Sequence, residues 1–281
     1  MIKFEKIEAL NNHLDELRKG GFKIGFIPTM GALHKGHLSL IDRAKEDNVK
    51  SVCSIFVNPT QFTNKNDLLN YPRTIEADIK LLETADCDIL FYPDVKEIYP
   101  KPVNTFFNFG FLEDVMEGRY RQGHFNGMAI VVNRLFEIVK PDFAYFGEKD
   151  YQQLVFVKML VRMMELPIKI IGCPIIRESD GLAMSSRNVH LNPQEKKDAL
   201  IISQTLFKAR ELVKTISLDE LKSYAINNLK SNPSIDLEYF EIAEGTYLKP
   251  VKTWQDSPSI RAFIALKIGS TRLIDNIELV P

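Results

Sequence analysis

Apolar positions along the chain switch between two rhythms. Ile7, Leu10, Leu14 and Leu17 recur at helical spacing and stop at Gly20-Gly21, which predicts an amphipathic helix ended by glycine. Phe22 to Ile27 is an unbroken apolar run of strand length, and Leu38 to Ala44 returns to helical spacing. Strand-like runs at Val49 to Val57, Asp88 to Tyr92, Asp142 to Phe146 and Ile168 to Ile171 then alternate with helical ones at Thr74 to Leu82, Met128 to Val139 and Tyr151 to Glu165. Such alternation predicts a parallel sheet with helices on both faces, whose ligands sit beyond the carboxyl ends of the strands.

Past Arg177 the pattern changes. Glu178-Ser179-Asp180-Gly181 reads as a turn-rich linker, followed by polar helices around Glu195 to Val213 and Leu218 to Leu229. The β-rich stretches Leu237 to Ile242 and Ile260 to Ile268 look antiparallel, with no second parallel unit. The expectation is an α/β chain with a Rossmann-like domain over residues 1–176 and a smaller C-terminal α+β lid domain over 177–281, a division that 281 residues can support.

With 36 basic and 37 acidic residues the formal charge is −1. No global field draws the chain to nucleic acid or to an anionic membrane, so a phosphate ligand has to be bound locally. The opening Met1-Ile2-Lys3-Phe4-Glu5-Lys6 lacks the apolar core of a signal peptide, and no later run is apolar enough to span a bilayer, which makes the cytoplasm the expected location. Cys53, Cys87 and Cys173 are too scattered for a disulfide framework or a metal knuckle and are expected to be buried thiols.

Three segments carrying polar chemistry leave predicted strand ends. Pro28-Thr29-Met30-Gly31-Ala32-Leu33-His34-Lys35-Gly36-His37 sets two imidazoles and two glycines where a strand hands over to a helix. Glycine lets backbone approach a ligand, a helix N-terminus offers N–H groups to an anion, and His34 and His37 add donors where charge develops on phosphate. Alone, the pair also reads as a loop and a helix cap; zinc lacks nearby Cys, Asp or Glu to complete its shell. Val57-Asn58-Pro59-Thr60-Gln61-Phe62 brings two carboxamides suited to a hydroxylated ligand, although Asn58 and Pro59 fit ordinary turn chemistry. Phe146-Gly147-Glu148-Lys149-Asp150-Tyr151-Gln152-Gln153 sets Lys149 to meet phosphate and Gln153 one turn on, or else Asp150 simply caps a helix. Beyond the linker, Ala183-Met184-Ser185-Ser186-Arg187-Asn188 reads as a phosphate clamp or a plain polar loop. Neither a Walker loop nor a dinucleotide fingerprint is present.

These four segments, in this order from Pro28 to Asn188, resemble the pantothenate synthetase (pantoate–β-alanine ligase) family within the His-x-Gly-His nucleotidyltransferase superfamily. The resemblance implies ATP-dependent condensation of (R)-pantoate with β-alanine through a pantoyl adenylate, releasing AMP and pyrophosphate, with Mg2+ alongside ATP. It implies an ATP site on Met30, Gly31, Ala32, Leu33, His34, Lys35, Gly36 and His37, on Gly147, Glu148, Lys149 and Asp150, on Ile176, and on Met184, Ser185, Ser186 and Arg187. Gln61 and Gln153 would contact pantoate, Gln61 also lies close to β-alanine, and Asn58 is grouped with them. His37 matches the family's catalytic acid, with His34, Lys149 and Arg187 stabilising charge. A homodimer is also implied. Two other readings remain open: an adenylyltransferase acting on a phosphorylated acceptor, which would release no AMP, and an RNA-binding module from the synthetase branch, against which the charge balance and the absence of a basic stripe argue.

Overall fold

The computed structural model describes residues 1–62 and 65–280. Two compact units emerge, one of Met1–Glu148 with Gln153–Pro174, the other of Lys149–Gln152 with Ile175–Pro281. The second unit therefore borrows four residues from the middle of the chain.

In the first unit, β1 (Ile2–Phe4), β2 (Ile24–Thr29), β3 (Lys50–Ile55), β4 (Ile89–Phe91), β5 (Phe143–Gly147) and β6 (Lys169–Cys173) form one sheet in the order β1-β4-β3-β2-β5-β6. Every pairing is parallel. The chain runs outward from β2 through β3 and β4, then returns to β5 on the opposite side of β2. The order therefore reverses between β2 and β5, and the segments leaving Thr29 and Gly147 rise from neighbouring strands. A crevice beyond the strand ends at such a reversal is where open α/β sheets bind ligands. Central strands read as unbroken apolar runs because both faces are covered: Ile24 to Ile27 are all buried. Helices Lys35–Glu46 and Ile75–Thr84 supply Leu40, Ile41, Ala44 and Leu82 to one face, against Ile27, Cys53, Leu90 and Tyr145. Helix His124–Val139 supplies Phe136, whose ring meets Phe26 edge-on at 6.2 Å.

In the second unit β7 (Ile235–Glu244), β8 (Ile260–Ile268) and β9 (Thr271–Val280) form an antiparallel sheet. Helices Pro193–Leu212 and Leu218–Lys230 pack Ile202, Leu206, Leu221 and Leu229 against Phe240, Ile264 and Leu266. Both helices begin at a reciprocal cap, Asn192 with Glu195 and Ser217 with Glu220.

Two strands escape the sequence pattern. β1 has only three residues at the sheet edge, amid charge. β9 carries buried Asp275 and Asn276 at its middle, which break the apolar alternation. The three cysteines are free and buried, as expected. Among the described residues no helix is long and apolar enough to cross a membrane.

Candidate active site

β2 ends in Pro28 and Thr29, and the chain turns sharply through Gly31, at φ +86°, and Ala32, at φ +50°. Only glycine adopts the first conformation without strain, and the second costs a non-glycine residue about 1–3 kcal/mol and persists only where its surroundings impose it. Asp78 imposes it. This carboxylate, 1% exposed, accepts the Ala32 amide at 3.0 Å and the Leu33 amide at 2.8 Å, and Thr74 Oγ1 donates to it at 3.2 Å. Asp78 sits inside the predicted helix Thr74 to Leu82 and reads there as one more polar helix position, so the sequence reading missed it.

His34 then caps the helix Lys35–Glu46. Its Nδ1 accepts the Gly36 amide at 3.1 Å, and His37 Nδ1 accepts the His34 amide at 3.3 Å. The imidazoles thus replace the usual hydroxyl and carboxylate of a capping box. The open backbone N–H groups expected at this helix end are corrected here: those of His34 and Gly36 are turned onto the rings. A backbone N–H can only donate, so in each neutral ring Nδ1 holds the lone pair and Nε2 carries the hydrogen. The ring centroids lie 4.1 Å apart. The cap reading of this pair is what the structure shows, and capping also sets which nitrogen of each ring carries the hydrogen. Lys35 is exposed at the first helical position.

After β3, Asn58 opens a tight turn over Pro59–Gln61. Asn58 is 1% exposed, and its amide is consumed within the protein. Nδ2 donates to Gln61 Oε1 and to the Gly127 carbonyl, both at 3.1 Å, while Oδ1 accepts the Thr60 hydroxyl and the Tyr99 phenol, both at 3.0 Å. Burial pushes the Tyr99 phenol above its ordinary pKa, against the Thr60 hydrogen bond, so it stays a donor at neutral pH. Because Asn58 occupies Gln61 Oε1, the Gln61 amide is oriented with Nε2 toward Met30 Sδ, 2.9 Å away. Met30, the first residue after β2, and Gln61 are thereby brought together. Gly147 ends β5 beside Glu148, and Gln153 is half-buried in the first turn of helix Tyr151–Met163.

The second unit gathers Lys149, Asp150, Ile176 and the loop Met184 to Arg187. Lys149 Nζ lies 3.7 Å from Asp150 Oδ1, and its carbonyl accepts Asn276 Nδ2 at 3.0 Å. Arg261 stacks 3.9 Å over the Tyr151 ring and donates to Asn276 Oδ1 at 2.6 Å. The Ile176 carbonyl accepts the Met184 amide at 3.0 Å, closing a turn through Gly181 at φ +97°. Ser185 Oγ accepts the Arg187 amide at 3.2 Å and caps the short turn Ser186–His190. Arg177 grips Asp275 with two hydrogen bonds of 2.6 and 3.1 Å and the Gly181 carbonyl at 3.1 Å. The sequence reading missed Arg177, Asp275 and Asn276 as well. Among the described residues no three His, Cys, Asp or Glu side chains gather as a metal site.

The chain matches the family model described as pantoate-beta-alanine ligase over residues 2–278. Pantothenate synthetase from Bacteroides fragilis is 48% identical over 272 residues, covering 97% of this chain and 96% of the relative. The protein of the same name from Azobacteroides pseudotrichonymphae is 50% identical over 272 residues, with 96% and 97% covered. Among solved structures, pantothenate synthetase from Thermus thermophilus superposes with a TM-score of 0.94 at 40% identity, with all of both chains covered. Pantoate-beta-alanine ligase from Francisella tularensis, complexed with beta-gamma ATP and beta-alanine, gives a TM-score of 0.79 at 38% identity, covering 99% of this chain and 97% of that one.

Proposed function

Since this chain belongs to the pantoate–β-alanine ligase family, we propose that it condenses (R)-pantoate with β-alanine at the expense of ATP, through a pantoyl adenylate. A pantoate carboxylate oxygen attacks the α-phosphorus, the bond to the bridging oxygen breaks, and pyrophosphate leaves. The β-alanine amine then attacks the acyl carbon, AMP leaves, and the amine gives up its proton as the amide forms. ATP enters as its magnesium complex, the ion carried by the substrate's phosphates.

The observation that carries this reading is the His34–His37 pair, whose Nε2 nitrogens are fixed as hydrogen donors by the backbone of their own helix cap. The first step concentrates negative charge on the α-phosphate and on departing pyrophosphate, and preorganised donors are the most effective stabilisers of such charge. We assign His37 and His34 to that charge, with Lys149 and Arg187 as the cationic partners. The Met30 to His37 loop, Gly147 to Asp150, Ile176, Ser185 and Ser186 take the rest of the nucleotide. Gln61 Nε2 and Gln153 are assigned to the hydroxyl and carboxylate of pantoate, and Asn58 acts through Gln61, since its own amide is committed. An acyl phosphate hydrolyses readily in water, and shielding it is the role we assign to the second unit. The reading extends to a cytoplasmic homodimer, for which sedimentation of the 32.2 kDa chain as twice that mass is the test.

Labelled pyrophosphate should exchange into ATP with pantoate present and β-alanine absent. Exchange that requires all three substrates would sink the two-step order. AMP release on adding β-alanine separates this reading from an adenylyltransferase, which releases pyrophosphate alone.

A further inference from the structure

The turn carrying Gln61 is held by its main chain, and a histidine outside the recognised motifs holds it. Helix His124–Val139 starts after Gly123, which adopts φ +78°. His124 is 5% exposed, and its Nδ1 lies 2.9 Å from the Gln61 carbonyl oxygen. A carbonyl only accepts, so Nδ1 carries the hydrogen. Nε2 lies 3.0 Å from an Arg121 guanidinium nitrogen, which only donates, so Nε2 holds the lone pair. Both neighbours demand the same neutral tautomer, opposite to that of His34 and His37. Arg121 is itself 3.9 Å from the carboxylate of Glu117, a residue 6% exposed.

One turn on, the Gly127 carbonyl accepts Asn58 Nδ2 at 3.1 Å and lies 3.2 Å from Thr60 Oγ1. A Cβ at Gly127 would stand 2.2 Å from the Thr60 carbonyl oxygen, so only glycine admits this approach. The first turn of the helix is thus a template for the turn Asn58 to Gln61, and His124 is its contact with Gln61 itself.

We propose that His124 is a positioning residue for Gln61: through Nδ1–H it fixes the main chain from which the Gln61 amide reaches pantoate, and Arg121, backed by Glu117, fixes the tautomer that makes this possible. The proposal rests on the assignment of Gln61 to pantoate made above. A misplacement of about 1 Å in a substrate-positioning group can cost roughly a hundredfold in rate, so the main-chain anchor bears directly on how the Gln61 amide meets pantoate.

The test compares His124→Phe, which keeps the ring volume and loses the donor, with His124→Asn, which keeps an N–H near the place of Nδ1. Steady-state constants are measured on the full chain, with Gln61→Ala in parallel. His124→Phe should raise the pantoate KM about tenfold, the effect of stripping a buried partner, and leave the ATP KM within about twofold; His124→Asn should recover most of the loss. Equal loss in both variants, or equal loss for ATP and pantoate, makes His124 a space-filler and overturns the proposal. So does an unchanged pantoate KM in His124→Phe when Gln61→Ala raises it. If Gln61→Ala leaves pantoate binding intact, it is the assignment of Gln61 that falls, and the proposal with it. Should His124→Phe not fold, 15N spectra of the native protein decide: Nδ1–H on His124 supports the proposal, whereas Nε2–H or an imidazolium ends it.

Discussion

Asp78 accepts the Leu33 amide at 2.8 Å, across 45 residues of sequence, and so ties the helix Ile75–Thr84 to the loop that delivers His34. With the Ala32 amide on its other oxygen, the carboxylate holds two donors that nothing else in the loop satisfies. Asp78→Asn replaces one acceptor by a donor facing a backbone N–H. It should cost about 1–3 kcal/mol of stability and slow adenylate formation more than it raises either KM, because the loop that delivers the imidazoles loosens. Urea midpoints and pyrophosphate exchange measure the two effects; an Asp78→Asn protein as stable and active as the parent would remove Asp78 from the account.

The two imidazoles of the cap should report their tautomers directly. His34 and His37 are expected as Nε2–H rings in 15N spectra near pH 8, in contrast to His124. Replacing either by alanine should slow adenylate formation by roughly a hundred- to a thousandfold, as the loss of one preorganised donor does. Either replacement should also lower the melting temperature, since each ring accepts one backbone amide of the helix cap. Near-normal turnover in either variant would reduce that ring to a helix cap.

Much of this was legible in the sequence because the parallel sheet announces itself twice, by buried apolar strands and by glycine-bearing segments at their carboxyl ends. What stayed hidden is the group of polar residues that hold those segments. Asp78, His124, Asp275 and Asn276 are buried, and each lies inside a helix or strand where a lone polar residue reads as a surface position. The segments they hold, at Leu33, Gln61, Arg177 and Lys149, lie from 45 to 127 residues away along the chain, beyond any local spacing rule. Asn58 shows the converse. Its carboxamide advertised a ligand, yet every hydrogen bond it makes here serves Gln61, Gly127, Thr60 or Tyr99.

The cysteines should be silent toward thiol reagents at pH 8. All three are buried; burial pushes the Cys173 thiol up to about 11 and raises those of Cys53 and Cys87 as well. The thiolate is the reactive form. Ellman's reagent should therefore titrate no thiol in the native protein and three after unfolding in guanidinium. Prompt native labelling of any one would show that its strand opens.

Acid should weaken the sheet at Asp88. Burial opposes its charge, but Lys50 Nζ at 2.7 Å and the Ser51 amide and hydroxyl at 2.9 and 3.0 Å outweigh it, and the carboxyl sits below its ordinary pKa. A depressed carboxyl pKa stabilises the fold above its unfolded value, near 4, and that contribution disappears as pH falls through the lower, folded value. Urea midpoints of Asp88→Asn should therefore lie below the parent's at pH 6 and converge with them toward pH 2. A constant gap across that range would mean that the charge plays no part.

The Arg177–Asp275 pair separates folding from chemistry. Asp275 is 3% exposed; burial pushes its carboxyl above the ordinary value, while the two Arg177 hydrogen bonds and the Asn276 amide pull the other way. Arg177 also holds the Gly181 carbonyl and lies 5.0 Å over the Phe207 ring, so the pair anchors the turn from which Met184, Ser185, Ser186 and Arg187 emerge. Asp275→Ala strands a guanidinium in the interior and should cost about 3–5 kcal/mol. Replacing both partners by apolar residues of similar size, Arg177→Met with Asp275→Leu, removes the stranded charge, and buried pairs treated this way regain most of their stability. The loop, however, has lost its anchor. The double variant should melt close to the parent and yet, on the assignment of Arg187 to the developing charge, form adenylate about tenfold more slowly, with a smaller change in ATP KM, because the loop that carries Arg187 has lost its anchor. A double variant that is both stable and fully active would show that the loop finds its place without the pair, whereas one as unstable as Asp275→Ala would show that the ion pair serves the fold alone.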